Sequence, residues 1–581
     1  MLASIRLIAF MLTLFVSANL YGADKKDDIR IVIDVSGSMK KTDPANLRVT
    51  AMKLLNGLIP SGANAGVWTF GKYVNMTVKW GKVDDKWRKL ADTGAEEIHS
   101  NATLTNIESA LDRSTKGWDK PDPNTRRSLI LLTDGKVDIG KDESRNMKSR
   151  QMILDKSVQR LQQSGVKIHA IALSKNTDEV LLKRLALETS GSFEIAEKAE
   201  DLQRIFFKMF ERATEPDSIS LDGNQFKVDS SIKEMTLLIF RKPGSPATHV
   251  YPPKGSAFSA KRPGNTSWRS DDGYDLITIK KPRQGQWTIE ADIDPDNRLM
   301  VVTDLQLEVA DIPSYISPAQ AITINAALFN KGSQIQKNNF LRFVDFQLIH
   351  TDAEGVESKT ALTHSKDRKK KGQYQYEFID GLQEGKHNIL VSVDSRTFNR
   401  SKRIDIDVQW PAKVSIQAAG SPGSYDLSIQ AREEYLKPGS LKPTVSLQSP
   451  DAAKNPVELV VSDGIWSANI VTNQDGLYQA EVSIEAQTQA GDAVKVALGN
   501  FSMLGVYQPP AIPDKSEESG AMDPQDQSAS DSKPDDMLED SHDWVATSVI
   551  IGIANVVMVL IVIGVYLLLR RKSASAEFSL E

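Results

Sequence analysis

The stretch Ile29-Arg30-Ile31-Val32-Ile33-Asp34-Val35-Ser36-Gly37-Ser38 decides the fold of the N-terminal third of this chain. Its β-branched run, Ile31-Val32-Ile33, has no alternating polar residue, so both faces of a strand over Ile29–Val35 must be buried. A second run of the same kind, Leu129-Ile130-Leu131-Leu132, lies in a strand over Ser128–Thr133 and leads into Asp134-Gly135. Strands buried on both faces belong to parallel sheets covered by helices. Working outward, further strands are expected at Gly66–Phe70, Val166–Leu173 and Ser192–Ile195. Helices are expected between them, at Pro44–Leu58, Asn106–Thr115, Arg150–Ser164, Asp178–Thr189 and Glu200–Arg212. Regular alternation of this kind predicts a doubly wound, Rossmann-like α/β domain over 24–214.

Past Glu215-Pro216 the helical periodicity fades and short β-rich runs appear between Gly, Pro, Asn and Asp. Gly285-Gln286-Trp287-Thr288-Ile289, Gly385-Lys386-His387-Asn388-Ile389 and Gly476-Leu477-Tyr478-Gln479-Ala480 share one form, a turn glycine followed by an alternating strand. They recur at about the length of an Ig-like sandwich, roughly 100 residues. Three all-β sandwich modules are expected, at 215–301, 302–409 and 410–506. The segment 507–543 is rich in Pro, Ser and Asp and too poor in apolar residues to bury a core, so it reads as an acidic disordered stalk.

Two apolar segments set the expected topology. Leu7–Val16 follows Arg6 and precedes the small or polar residues Ser17, Ala18, Asn19 and Gly22, the pattern of a signal peptide over 1–23. The uncharged stretch 545–569 is long enough for a hydrocarbon core of about 30 Å. Trp544 before it and Arg570, Arg571 and Lys572 after it place the tail 570–581 in the cytoplasm and the bulk of the chain outside. The chain is thus expected to be a single-pass protein of the bacterial inner membrane, exposed to the periplasm or the cell surface. A net charge of −5 over 581 residues gives no basic face for nucleic acid. The absence of cysteine excludes cysteine catalysis, iron–sulfur clusters and thiolate zinc, and fits a bacterial envelope better than an animal exterior.

The chemistry concentrates at the ends of the two apolar strands. Asp34 and Asp134 close them, where open α/β sheets bind ligands. Ser36 and Ser38, two apart on the departing loop, and Thr105 before a helix complete an all-oxygen donor set. Hard cations take such donors, and neutral hydroxyls leave much of the metal charge uncompensated. An open coordination position would then attract a partner's acidic side chain.

Asp34, Ser36 and Ser38, followed by Thr105 within Thr-Asn-Ile and Asp134 within Thr-Asp-Gly, resemble the metal-ion-dependent adhesion site of the von Willebrand factor A family. The resemblance covers roughly residues 28–213. It implies a vWA domain, Mg²⁺ held by Asp34, Ser36, Ser38, Thr105 and Asp134, and protein binding rather than a reaction. Mn²⁺ and Ca²⁺ stay open as the ion. The family often has two glycines before the threonine, and Ala102, Thr103 and Leu104 stand there instead, so Thr103 and Thr105 both stay open as the ligand.

Other readings have less behind them. An aspartyl phosphotransferase needs a second Asp where Ser36 stands. No His-Glu-x-x-His or Gly-x-Ser-x-Gly motif is present. The seven histidines are scattered, and His169 is expected in the core. The cationic run Lys366, Arg368, Lys369, Lys370 and Lys371 is read as a solvated loop, with contact to anionic lipid or polymer as the alternative. The functional alternative is a structural or assembly factor, or an accessory subunit, of an envelope complex in which metal binding is incidental.

Overall fold

The computed structural model describes residues 25–506, apart from 264, 265, 272, 319, 368 and 369. The expected signal peptide, stalk, membrane span and cytoplasmic tail lie outside the described residues. Among the described residues no helix is long and apolar enough to cross a membrane.

The N-terminal region is a six-stranded sheet flanked by helices on both faces. Its strands are β1 (Lys26–Asp34), β2 (Asn64–Phe70), β3 (Val74–Lys82), β4 (Thr125–Thr133), β5 (Val166–Ala172) and β6 (Ser192–Ile195). The spatial order is β3-β2-β1-β4-β5-β6, parallel except for the antiparallel edge strand β3. The helices are α1 (Met39–Thr42), α2 (Arg48–Leu58), α3 (Asp85–Glu96), α4 (Ile107–Ser114), α5 (Glu143–Met152), α6 (Val158–Gln163), α7 (Glu179–Glu188) and α8 (Leu202–Thr214). Ile31, Val32, Ile33 and Leu129 to Leu132 are fully buried, as continuous apolar strands require. Ile29, Ile31 and Ile33 face the layer of α2, α3 and α8, and Val32, Leu129 and Leu131 face the layer of α4, α6 and α7. Side chains that alternate across a strand supply both cores.

The structure adds elements that the sequence reading lacked. β3 and α3 fill the connection after β2. α5 starts at Glu143, where Asp142 accepts from the Ser144 amide, and passes through a π turn at Ile153–Ser157 into α6. Asp84, Asn106 and Asp178 cap α3, α4 and α7 by accepting backbone N–H groups.

Residues 218–505 form paired β-sheets around three further cores. One holds Phe226, Leu237 and Trp287, a second Leu307, Leu348 and Ile389, and a third Leu427, Val445 and Tyr478. The first two sandwiches are not independent, because a single sheet runs through both. The two-residue strand Ser218–Ile219 pairs with Arg298–Thr303 on one side and with Asn399–Val408 on the other. Arg400, fully buried, reinforces this join. It donates to Asp229 Oδ2 at 2.8 Å, Ser231 Oγ at 2.7 Å, Thr303 Oγ1 at 2.9 Å and the Leu305 carbonyl at 2.9 Å.

The repeated glycines occupy equivalent places. Gly285, Gly385 and Gly476 open their strands at φ of 133°, 136° and 132°. A Cβ at these positions would lie 2.9 Å from Pro253, 2.4 Å from Ala353 and 2.8 Å from Pro450 respectively. Backbone conformation and space together require glycine at each.

The α/β region is seated on the first sandwich. Leu238, Phe240, Tyr274, Leu276 and Met300 belong to the same apolar core as Phe206, Phe207 and Phe210 of α8. Phe207 and Phe240 meet edge to face at 6.1 Å.

Candidate metal centre

The carboxyl ends of β1 and β4 are adjacent, in register at Ile33 and Leu132, which brings Asp34 and Asp134 to one place at the rim of the sheet. Asp34 is fully buried, and Ser36, Thr105 and Asp134 are almost so. Ser38 is exposed at the mouth.

A chain of hydroxyls links the two carboxylates. Asp34 Oδ1 accepts from the Ser36 amide at 2.8 Å, an Asx turn that bends the chain off the strand. The Ser36 and Ser38 hydroxyls lie 3.0 Å apart, and Ser38 Oγ donates to Asp134 Oδ1 at 2.7 Å. Ser36 and Ser38 therefore turn toward the carboxylates rather than into the core.

Thr105 is positioned from the other side. Its amide donates to the Asp138 carbonyl at 2.7 Å, and its carbonyl accepts from the Asp138 amide at 3.1 Å. That bridge fastens it beside the loop after β4. A Cβ on Gly135 would come within 3.2 Å of Thr105 Oγ1, so glycine here lets the threonine hydroxyl close on the residue after Asp134. Leu104, just before it, has φ of 66°, a conformation costly for a branched side chain. Thr103 is exposed, whereas Thr105 is buried at 5% accessibility. Of the two threonines, Thr105 is the one packed against the Asp134 loop.

Five residues around the centre were not among the ligands read from the sequence. Thr133 Oγ1 donates to Asp34 Oδ2 at 2.5 Å, and Thr42 Oγ1 donates to Asp134 Oδ2 at 2.7 Å. Thr133 stood in plain view before Asp134, and Thr42 reaches the site only because α1 folds back. Behind them sits Arg48, fully buried, 3.7 Å from Asp43 Oδ2 and bonded to Ser100 Oγ at 2.5 Å. Burial lowers the Arg48 guanidinium pKa, and the charges of Asp43, Asp34 and Asp134 raise it. Burial, with the Asp134 charge adding to it, raises the Asp34 carboxyl to about 6 against the opposing hydrogen bonds from Thr133 and Ser36.

The donors fit a hard divalent cation. All are oxygens, two can carry charge, and three are neutral hydroxyls. Among the described residues no group of three or more His, Asp or Glu is placed to hold a metal; this centre is of another kind, with hydroxyls supplying the majority of donors. The nearest other candidates behave differently. His169 is in the core as expected, bonded to Ser192 Oγ at 2.8 Å, with burial pushing it down to about 3. His350 and His387, far apart in sequence, meet at 2.9 Å within the second sandwich.

Residues 28–208 match the family model described as von Willebrand factor type A domain. No curated protein matches the chain. Among solved structures it is similar to a von Willebrand factor type A protein from Catenulispora acidiphila, at 14% identity over 54% of this chain and 64% of that one, with a TM-score of 0.28. It is also similar to proximal thread matrix protein 1 of the mussel byssus, with a zinc-occupied MIDAS motif, at 17% identity over 35% and 51%, TM-score 0.27. A third similarity is to the pilus adhesin SpaC of Lactobacillus rhamnosus GG, at 11% identity over 82% and 84%, TM-score 0.29. The chain spans less than two thirds of the first of these proteins.

Proposed function

We propose that this chain, whose residues 28–208 are a von Willebrand factor type A domain, binds a protein partner through a divalent cation and catalyses no reaction. Asp34, Ser36, Ser38, Thr105 and Asp134 would hold the ion, with Mg²⁺ the first choice for an all-oxygen set. The ion would supply an electrophilic position that a partner's carboxylate completes. The observation that carries this reading is the hydroxyl chain from Ser36 through Ser38 to Asp134, which joins both strand ends at one solvent-facing mouth. The roles of the chain's own residues follow from the geometry. Asp34, held by Thr133 and the Ser36 amide, fixes the floor, and Ser38 stands at the entrance.

In this reading the sandwiches are a spacer that carries the domain away from a membrane. The segment 545–569 would anchor the chain and 1–23 would export it, leaving the domain in the periplasm or at the surface. These assignments rest on hydropathy and flanking charge in the sequence.

The test is a calorimetric titration of Mg²⁺ into the purified chain, with Asp34→Ala and Ser38→Ala beside it. A saturable heat that both substitutions abolish is expected. An unchanged response in Asp34→Ala sinks the assignment. A pull-down from native membranes with and without EDTA then separates metal-dependent partner binding from a purely structural role. Full retention of the partner in EDTA favours the assembly-factor reading.

A further inference from the structure

The cationic run singled out in the sequence is not an isolated loop. Its described residues, Lys366, Lys370 and Lys371, lie between the strands Thr363–His364 and Gln373–Phe378 at one end of the second sandwich. The segment from Lys331 to Phe343 lies at the same end, where Ser333–Gln334 pairs back on Phe329 and Asn330. Gln334 Nε2 donates to the Lys371 carbonyl at 3.2 Å, which ties the two loops together. The second loop carries the short helix Asn338–Leu341, and it presents two phenyl rings to solvent: Phe340 is 37% and Phe343 60% exposed. Phe340 stacks on Phe398 at 6.0 Å, and the Arg342 guanidinium lies 4.6 Å from the Phe343 ring centre.

Charge gathers on this end. Lys331, Lys337, Arg342, Lys366, Lys370 and Lys371 form no ion pair with a described residue, in a chain whose net charge is −5. Asp345 and Asp367 lie within these loops, and Asp304 and Asp394 adjoin them: the Lys331 amide donates to the Asp304 carbonyl at 2.9 Å, and Asp394 stands opposite Asp345 on the neighbouring strand, so the cations outnumber the acids at this end. We propose that this end of the second sandwich docks on the headgroup region of an anionic phospholipid bilayer, with Phe340 and Phe343 entering the interface and the lysines meeting lipid phosphates.

Three features favour a bilayer over a folded acidic partner. The cations sit on long flexible stems without the bracing that a fixed anion site shows. Exposed phenyl rings set among cations suit the boundary between headgroups and acyl chains. The rings belong to the loop at this end of the sandwich. This inference is independent of the metal centre, which belongs to another part of the molecule.

The absence of cysteine allows a direct test. Asn339→Cys in the full chain takes a polarity-sensitive fluorophore on the short helix, next to Phe340. The labelled protein is incorporated into vesicles of phosphatidylcholine alone or mixed with phosphatidylglycerol. A blue-shifted emission and reduced access to aqueous iodide are expected only with phosphatidylglycerol, and raised salt should reverse both. Lys366→Glu and Lys371→Glu together should abolish the shift without lowering the thermal midpoint, since both are exposed. Neutralising one lysine at a time should weaken lipid binding about fivefold each. Phe343→Ser should remove the blue shift while leaving a salt-sensitive association. Equal emission in the two lipid mixtures overturns the proposal. So does an equal shift produced in phosphatidylcholine vesicles by soluble polyglutamate, which would identify an acidic polymer as the partner.

Discussion

The two ends of the six-stranded sheet solve opposite problems. At the carboxyl end, Asp34 and Asp134 are joined by neutral hydroxyls, and one buried arginine behind them is the cation nearby. At the amino end, nearly every charge has an opposite within the chain. Glu215 lies 3.1 Å from Arg126 and 3.4 Å from Lys167, and Lys167 lies 2.8 Å from Asp311 in the second sandwich. Arg298 pairs with Glu211 at 3.0 Å. One end is therefore finished by ion pairs within the chain, and the other is held by neutral hydroxyls. A charged seam satisfied internally holds a domain in place.

The contrast can be broken at the seam first. Phe240→Ala removes the ring that meets Phe207 across the join, and a cost of about 3–5 kcal/mol is expected, read as a lower denaturant midpoint for the first transition. Mg²⁺ affinity measured below that transition should be unchanged. A parallel loss of affinity would show that seam and mouth are coupled. At the mouth, Asp34→Ala should weaken Mg²⁺ binding by about a hundredfold or more, since it removes a charged donor and its hydroxyl network. Thr42→Val, which deletes only the hydroxyl on Asp134 Oδ2, should weaken it about tenfold by calorimetry.

A pH scan sharpens the same comparison. Burial raises the Glu215 carboxyl, but Lys167, Arg126 and Lys402 together outweigh it and hold the group down to about 2, below its ordinary 4.5. A depressed carboxyl contributes stability above its unfolded value and loses it as pH falls toward the folded value. The seam's contribution should thus be complete above about pH 4.5 and fade toward about pH 2. Glu215→Gln should flatten that slope and cost about 1 kcal/mol at neutral pH, a modest figure because the side chain is 36% exposed. The smallest effect is expected for Thr103→Ala, which should leave Mg²⁺ binding within error of the parent, whereas Thr105→Ala should not.

What the sequence disclosed followed from periodicity and strand ends. Ile31 to Ile33 and Leu129 to Leu132 announced a sheet buried on both faces, and strand-end aspartates in such a sheet fall at one rim. β3 escaped notice because Val74–Lys82 mixes exposed and half-buried positions at a sheet edge, where neither face is fully apolar. α3 escaped with it, its apolar positions being few. Arg48, Asp43 and Thr42 were illegible for a different reason: their partners are set by how α1 and α2 fold back on the rim, a tertiary fact with no local pattern. The shared sheet of the first two sandwiches hangs on Ser218 and Ile219, too short a strand for alternation to register. Thr105 was reachable from its place before a helix, while its backbone bridge to Asp138, which packs it against the Asp134 loop, is a tertiary contact with no local pattern.

The join at Arg400 bears on how this molecule can be taken apart. Asp229 and Ser231, which hold the guanidinium, come from the sandwich before it, and the strand beside it borrows a neighbour from Ser218. A gene fusion or domain swap cut near 301 would strand a buried cation and open two sheet edges at once. Because the α/β region shares its apolar core with the first sandwich, the unit that recombination or engineering can move intact is the α/β region together with the double sandwich.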